Sequence, residues 1–230
     1  HPLVAQEAKK VLPPTPRDLG AYVCALADLC FNAWERTFEQ NMALVPYARA
    51  ILRAFPTPPA QLATDLDELI TLLWVTEHFD EAQGHARRLY ESCRTSYGAR
   101  DARTGFCALR MGAALENAGN VDDARRWFME AYQVLEHAED PPPRALLWRI
   151  EATGRMRQMC DHDGDLDGAL RYNLTRLRLA RELRDRWPDQ LPGYRGNPSL
   201  EYPYALLKQG EHLLEAGRLA EAARYSARAN

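Results

Sequence analysis

Between Cys160 and Leu170 the sequence reads CDHDGDLDGAL. Carboxylates at Asp161, Asp163, Asp165 and Asp167, with Cys160 and His162 beside them, are residue types that bind hard or borderline cations. A helix-loop-helix calcium site needs a glycine at the sixth loop position and a bidentate carboxylate at the twelfth. Counted from Asp161, those positions hold Leu166 and Tyr172; counted from Asp163, they hold Gly168 and Leu174. Neither frame ends on a carboxylate. Zinc needs several nitrogen or sulfur ligands, and only Cys160 and His162 lie close. The segment fits a turn between two helices better than a metal loop. Asp165 and Asp167 would then sit at a helix N-terminus, where a carboxylate gains about 0.3–1 kcal/mol.

Other chemistry-bearing residues are scattered. His1, His78, His85, His137, His162 and His212 form no motif; His78 and His85 are two helical turns apart, with no third ligand in sequence. H-E-x-x-H, G-x-S-x-G and a phosphate-cradling glycine loop are all absent. The paired acids of VDDARR read as a solvated helix turn. Cys24, Cys30, Cys93, Cys107 and Cys160 make no C-x-x-C pair and are odd in number, which suggests buried free thiols in a reducing compartment. The expectation is a protein without catalytic activity, metal or cofactor.

Composition narrows the partners. Twenty-nine basic against 32 acidic residues give a net charge of −3, without the basic face that nucleic acid requires. No apolar run approaches the roughly 18 residues of a membrane span. Neither nucleic acid nor a membrane is expected as a partner. The chain opens His1-Pro2 and stops in mid-pattern, which reads as a piece of a longer cytoplasmic protein. Arginine far outnumbers lysine, present only at Lys9, Lys10 and Lys208, which leans the reading towards a bacterial signalling or regulatory protein.

The elements that would position any site come from internal repetition. EHFDEAQGHARRL, GNVDDARRWFMEA, GDLDGALRYNLTR and GRLAEAARYSARA align from Glu77, Gly119, Gly164 and Gly217. Five places on stand Ala82, Ala124, Ala169 and Ala222; seven further stand Leu89, Ala131, Arg176 and Ala229, so the third copy is irregular. Gly112 and Gly210 lie seven residues before their turn glycines, inside apolar-periodic segments. Gly154 lies ten before Gly164, which predicts a turn lengthened by three polar residues. The pattern is helix, tight turn, helix, with small residues where helices approach closely. Asp101, Asp140 and Ser199 are expected helix caps. No alternating β-branched run suggests a strand.

These glycines and alanines resemble the tetratricopeptide repeat (TPR) family. The turn positions are 42, 45 and 53 residues apart, longer than the usual repeat of about 34 and similar to the longer variant of kinesin light chains and bacterial regulators. The resemblance implies an all-α fold, an α-solenoid of stacked antiparallel helix pairs in a TPR-like superhelix. Residues 1–17 are expected as a linker and 18–230 as the solenoid, with copies at 18–56 (degenerate), 60–97, 102–139, 141–187 and 199–230 (truncated).

The same resemblance implies a concave groove lined by each copy's first helix. Carried over by alignment, it holds Asp67, Thr71 and Trp74; then Phe106, Arg110 and Asn117; then Trp148, Glu151 and Arg155; then Tyr204 and Glu211. The lysine, asparagine and arginine with which some members clamp chaperone tails are replaced here by Asp67, Leu109, Ala113 and Glu151. A chaperone tail is therefore disfavoured, and a protein or peptide held by aromatic anchors is expected. Two alternatives accompany it: a self-association module forming homo-oligomers through its last copy, and a metal-dependent helical enzyme built on the aspartate cluster.

Overall fold

The computed structural model describes residues 16–31, 33–139, 141–189, 191 and 201–229, and every regular element among them is helical. The expected linker lies outside these residues except for Pro16 and Arg17, which open the first helix. The expected caps Asp140 and Ser199 also lie outside them. The chain forms two compact units, residues 1–92 and 93–230, divided within one helix.

In the first unit, α1 (Pro16–Cys30) and α3 (Val45–Ala54) pack on α4 (Ala63–Val75), with the short α2 (Phe38–Met42) between them. Helix α2 starts in a capping box: Thr37 Oγ1 accepts from the Gln40 amide at 3.3 Å, and Gln40 Oε1 accepts from the Thr37 amide at 3.0 Å. Val23, Ala27, Ala48, Leu52, Leu66, Leu69, Ile70 and Leu73 form its buried core. Helix α5 (Phe79–Tyr97) follows α4 after a short turn.

The second unit is a series of hairpins: α6 (Ala102–Asn117) with α7 (Val121–His137), α8 (Ala145–Asp163) with α9 (Leu166–Arg186), and α10 (Glu201–Glu215) with α11 (Leu219–Ala229). Each helix packs on the next in sequence order, and α6 also touches α8. Apolar burial is the main stabilising term, at about 1.5–3 kcal/mol for each large side chain such as Phe128, Leu135 or Ile150.

One backbone device closes the turns at 77, 119, 164 and 217. Glu77, Gly119, Gly164 and Gly217 adopt φ of 65°, 82°, 71° and 71°. Their amides donate to carbonyls three residues back at 2.9–3.1 Å, and the following amides donate to carbonyls five back at 2.8–2.9 Å. This double bond pattern satisfies carbonyls that the helix end would leave unpaired. Ala82, Ala124, Ala169 and Ala222 are all buried just beyond these turns.

Small residues mark close approaches. A Cβ at Gly112 would stand 2.5 Å from Phe128 Cδ1, and one at Gly105 would stand 2.9 Å from Leu135 Cγ. The hairpin of α8 and α9 departs from the lengthened turn expected before Gly164. Asp161, His162 and Asp163 are the last turn of α8, and the turn itself is as short as the others. The residue seven before Gly164 is thus Arg157, which takes the place of Gly112, and Asn173 takes the place of Phe128. Gly154 has another role: its missing side chain makes room for the Arg176 guanidinium, which lies 3.6 Å from where a Cβ would be.

Candidate partner-binding site

Helices α6, α8 and α10 carry a ladder of charged pairs. Arg110, Arg155 and Lys208 all stand nine residues before a turn glycine. Arg110 donates through Nη1 and Nη2 to Glu151 Oε1 and Oε2 at 2.8 and 2.7 Å, a bidentate pair. Arg155 Nη1 reaches Glu116 Oε2 at 2.8 Å and Gln158 Oε1 at 3.3 Å. Lys208 Nζ reaches Glu211 Oε2 at 2.7 Å. Arg176, entering from α9, donates to Glu201 Oε2 at 3.1 Å while its guanidinium carbon lies 4.7 Å from the Tyr204 ring centroid.

Beside this ladder opens a cavity of about 170 Å³, lined by Arg110, Arg144, Leu147, Trp148, Ile150, Glu151, Arg176 and Glu201. Its charged lining is three guanidiniums against two carboxylates, a local excess of one positive charge in a chain of net −3. Burial would raise the Glu151 carboxyl, but Arg110, Arg155 and Arg176 outweigh that and hold it below the usual carboxylate range. The cavity is therefore charged at neutral pH, with an apolar floor.

The structure brings Arg110, Trp148 and Glu151 together there, with Arg155 adjoining through its charge on Glu151 and Tyr204 through its contact with Arg176. Asn117 and Glu211 lie elsewhere: Asn117 Nδ2 donates to Ala113 O at 2.9 Å, and Glu211 lines a different cavity. The aromatic residues correct the picture of exposed anchors. Phe106 and Trp148 are 2% and 5% exposed and stack on one another, so both are core. In the first unit Trp74 and Asp67 are buried too, and Thr71 is half-buried. Among the described residues the Trp74 indole N–H has no hydrogen-bond partner.

Sequence reasoning missed Arg144, Arg176 and Glu201. A signal for Arg176 was present, because arginine there interrupts a column of Leu89, Ala131 and Ala229.

The aspartate cluster resolves into contacts within the fold. Asp165 Oδ1 caps α9 by accepting from the Gly168 amide at 2.9 Å, and Asp163 accepts from both terminal nitrogens, Nη1 and Nη2, of Arg125. Asp161 joins a partly buried polar clasp. His212 Nε2 lies 2.9 Å from Asp161 Oδ1, and His212 Nδ1 lies 2.7 Å from the Lys208 carbonyl. Arg157 donates to Asp161 Oδ2 and lies 3.3 Å from His212 Nε2. This clasp borders the second cavity, about 400 Å³, shared with Leu166, Lys208, Glu211 and Glu215. Among the described residues, no group of three or more histidine, cysteine or acidic side chains is placed to hold a metal. No described helix is long and apolar enough to cross a membrane.

No family model matches the chain, and no curated protein does. Solved structures do match. BtubC (BKLC) from P. vanneervenii superposes with a TM-score of 0.66, covering 97% of this chain and 84% of that one at 15% sequence identity. At that identity the likeness establishes a shared helical fold.

Proposed function

We propose that this chain is a non-catalytic module of the tetratricopeptide type, an α-solenoid that binds a protein or peptide partner on the face carrying α6, α8 and α10. The observation that carries this reading is the cavity beside Trp148, where Arg110, Arg144 and Arg176 outnumber Glu151 and Glu201. Planar guanidiniums recognise carboxylates in a fixed geometry, and the apolar floor suits the stem of an acidic side chain. The partner segment is thus one that presents an acidic residue. Affinity in the micromolar range, about −8 kcal/mol, fits a mobile peptide that must be ordered on binding. A cytoplasmic setting within a larger regulatory protein accords with the free cysteines.

Selection of a displayed random-peptide library against the purified chain tests this. Enriched peptides should carry Asp or Glu and lose at least about tenfold in affinity for Arg144→Glu or Arg176→Glu, roughly 1.4 kcal/mol. Peptides that bind the variants as well as the parent would remove the cavity from the site.

A second reading, self-association, has its own observation. Tyr204, Leu207 and Leu214 on α10 and Leu219 on α11 are 44–65% exposed, an apolar surface on the last hairpin. Light scattering of the parent and of Leu207→Lys/Leu214→Lys decides it. A monomeric parent at 100 µM or so would end this reading, since a functional homo-oligomer needs tighter association than that.

A further inference from the structure

The strongest unassigned chemistry lies away from the charged cavity. Cys93, near the end of α5, and Cys107, in α6, face one another with their sulfurs 3.2 Å apart, and the Cys107 thiol donates to Cys93 Sγ. They are 0% and 1% exposed, and both belong to the second unit. A disulfide needs the sulfurs at about 2.05 Å, so closure asks for movement of roughly 1 Å. Rotation about the two Cα–Cβ bonds supplies motion of that size.

We propose that Cys93 and Cys107 are a modification site, closing into a reversible disulfide when the protein meets a low-molecular-weight disulfide. The Cys93 thiolate attacks one sulfur of the small disulfide and expels one thiolate. Cys107 gives up its proton and attacks the Cys93 sulfur of the mixed disulfide, expelling the second. Two protein thiols are oxidised and one small disulfide is reduced to two thiols.

The surroundings assign the roles. The hydrogen bond from Cys107, aided by the Arg103 charge, holds the Cys93 thiol below its ordinary pKa despite burial. The other cysteines differ: burial pushes Cys30 up to about 11, and burial with Asp165, Asp161 and Asp163 pushes Cys160 up. Access comes from the end of α5. Arg94, Thr95 and Ser96 are exposed, the helix stops at Tyr97, and Gly98 follows with φ of 90°. Unwinding one terminal turn brings Cys93 to solvent, a local opening that costs far less than global unfolding.

The test incubates the full chain with oxidised glutathione, traps free thiols with N-ethylmaleimide and maps tryptic peptides by mass. Trypsin separates 89–94 from 104–110, so a cross-link appears as one joined mass that dithiothreitol splits. Two of the five thiols should be lost. Cys160→Ser should keep the cross-link, while Cys107→Ser should leave Cys93 as a mixed disulfide with glutathione. Recovery of both Cys93 and Cys107 as maleimide adducts, or a cross-link from either to another cysteine, would overturn the assignment. Should Cys107→Ser fail to fold, the parent's peptide map decides alone.

Discussion

Phe106 and Trp148 stack with ring centroids 4.7 Å apart and planes 28° from parallel, joining α6 to α8. Each ring is the other's neighbour in the core, and the guanidinium of Arg110 lies 5.0 Å from the Phe106 centroid. The charged cavity therefore rests on a rigid aromatic floor. Trp148→Ala should destabilise the protein by about 3–5 kcal/mol, the range for emptying a large core aromatic, whether or not a ligand is present. Arg144→Ala, on a half-buried side chain, should change stability by less than about 1 kcal/mol. Urea unfolding of the two variants separates the supporting residue from the one proposed to bind.

The turn at Glu77 should improve on losing its side chain. Its φ of 65° is the left-handed conformation that the three equivalent turns give to glycine. A side chain in that region costs about 1 kcal/mol. Glu77→Gly should recover part of it, raising the melting temperature by a degree or more, while Gly119→Glu should lower it. Calorimetry on both is sufficient.

Gly112 is constrained by space instead. The Phe128 ring would meet an added methyl at 2.5 Å, and Phe128 is itself fully buried. Gly112→Ala should therefore cost about 1–3 kcal/mol by overpacking, despite alanine's higher helix propensity. If denaturant unfolding instead shows a stabilised protein, the two helices do not approach this closely.

His85 should make stability depend on pH. Burial, then the charge of Arg88, lowers its pKa to about 4, and Nδ1 lies 2.6 Å from Arg88 Nη2, a contact that neutral imidazole can accept. The unfolded chain binds this proton near pH 6.5. Stability contributed by neutral His85 is thus full above about pH 6.5 and is lost as pH falls towards 4, at up to roughly 1.4 kcal/mol per pH unit. Equilibrium unfolding at pH 7 and pH 5 should show the loss, and His85→Gln should flatten it.

The sequence disclosed much of the local fold because its strongest signals are local. A residue forced to positive φ, an alanine at a helix crossing and a cap before an apolar run all act within a few positions. The turns at Gly119, Gly164 and Gly217 could be located for that reason. Glu77 was found only by alignment, since nothing in its side chain announces a left-handed backbone. The site was less legible. Phe106 and Trp148 bury each other across α6 and α8, a meeting that no local pattern records, and anchoring α8 on Gly154 instead of Arg157 also turned its expected face by three residues. Arg176 comes from the second helix of its hairpin and reaches the cavity only because Gly154 leaves room. Pairings such as Arg110 with Glu151 span 41 residues, beyond any helical periodicity.

The exchange of Gly112 and Phe128 for Arg157 and Asn173 in the hairpin of α8 and α9 gives the molecule a key and a lock. If α8 docked on a neighbour meant for another hairpin, Arg157 would keep Asp161, four residues on in its own helix, but both would lose the imidazole of His212. Buried polar groups left without such a partner cost about 1–3 kcal/mol. Look-alike hairpins invite misthreading and exchange between molecules; here His212, reaching Asp161 and Arg157 from α10, favours the native neighbour over the others.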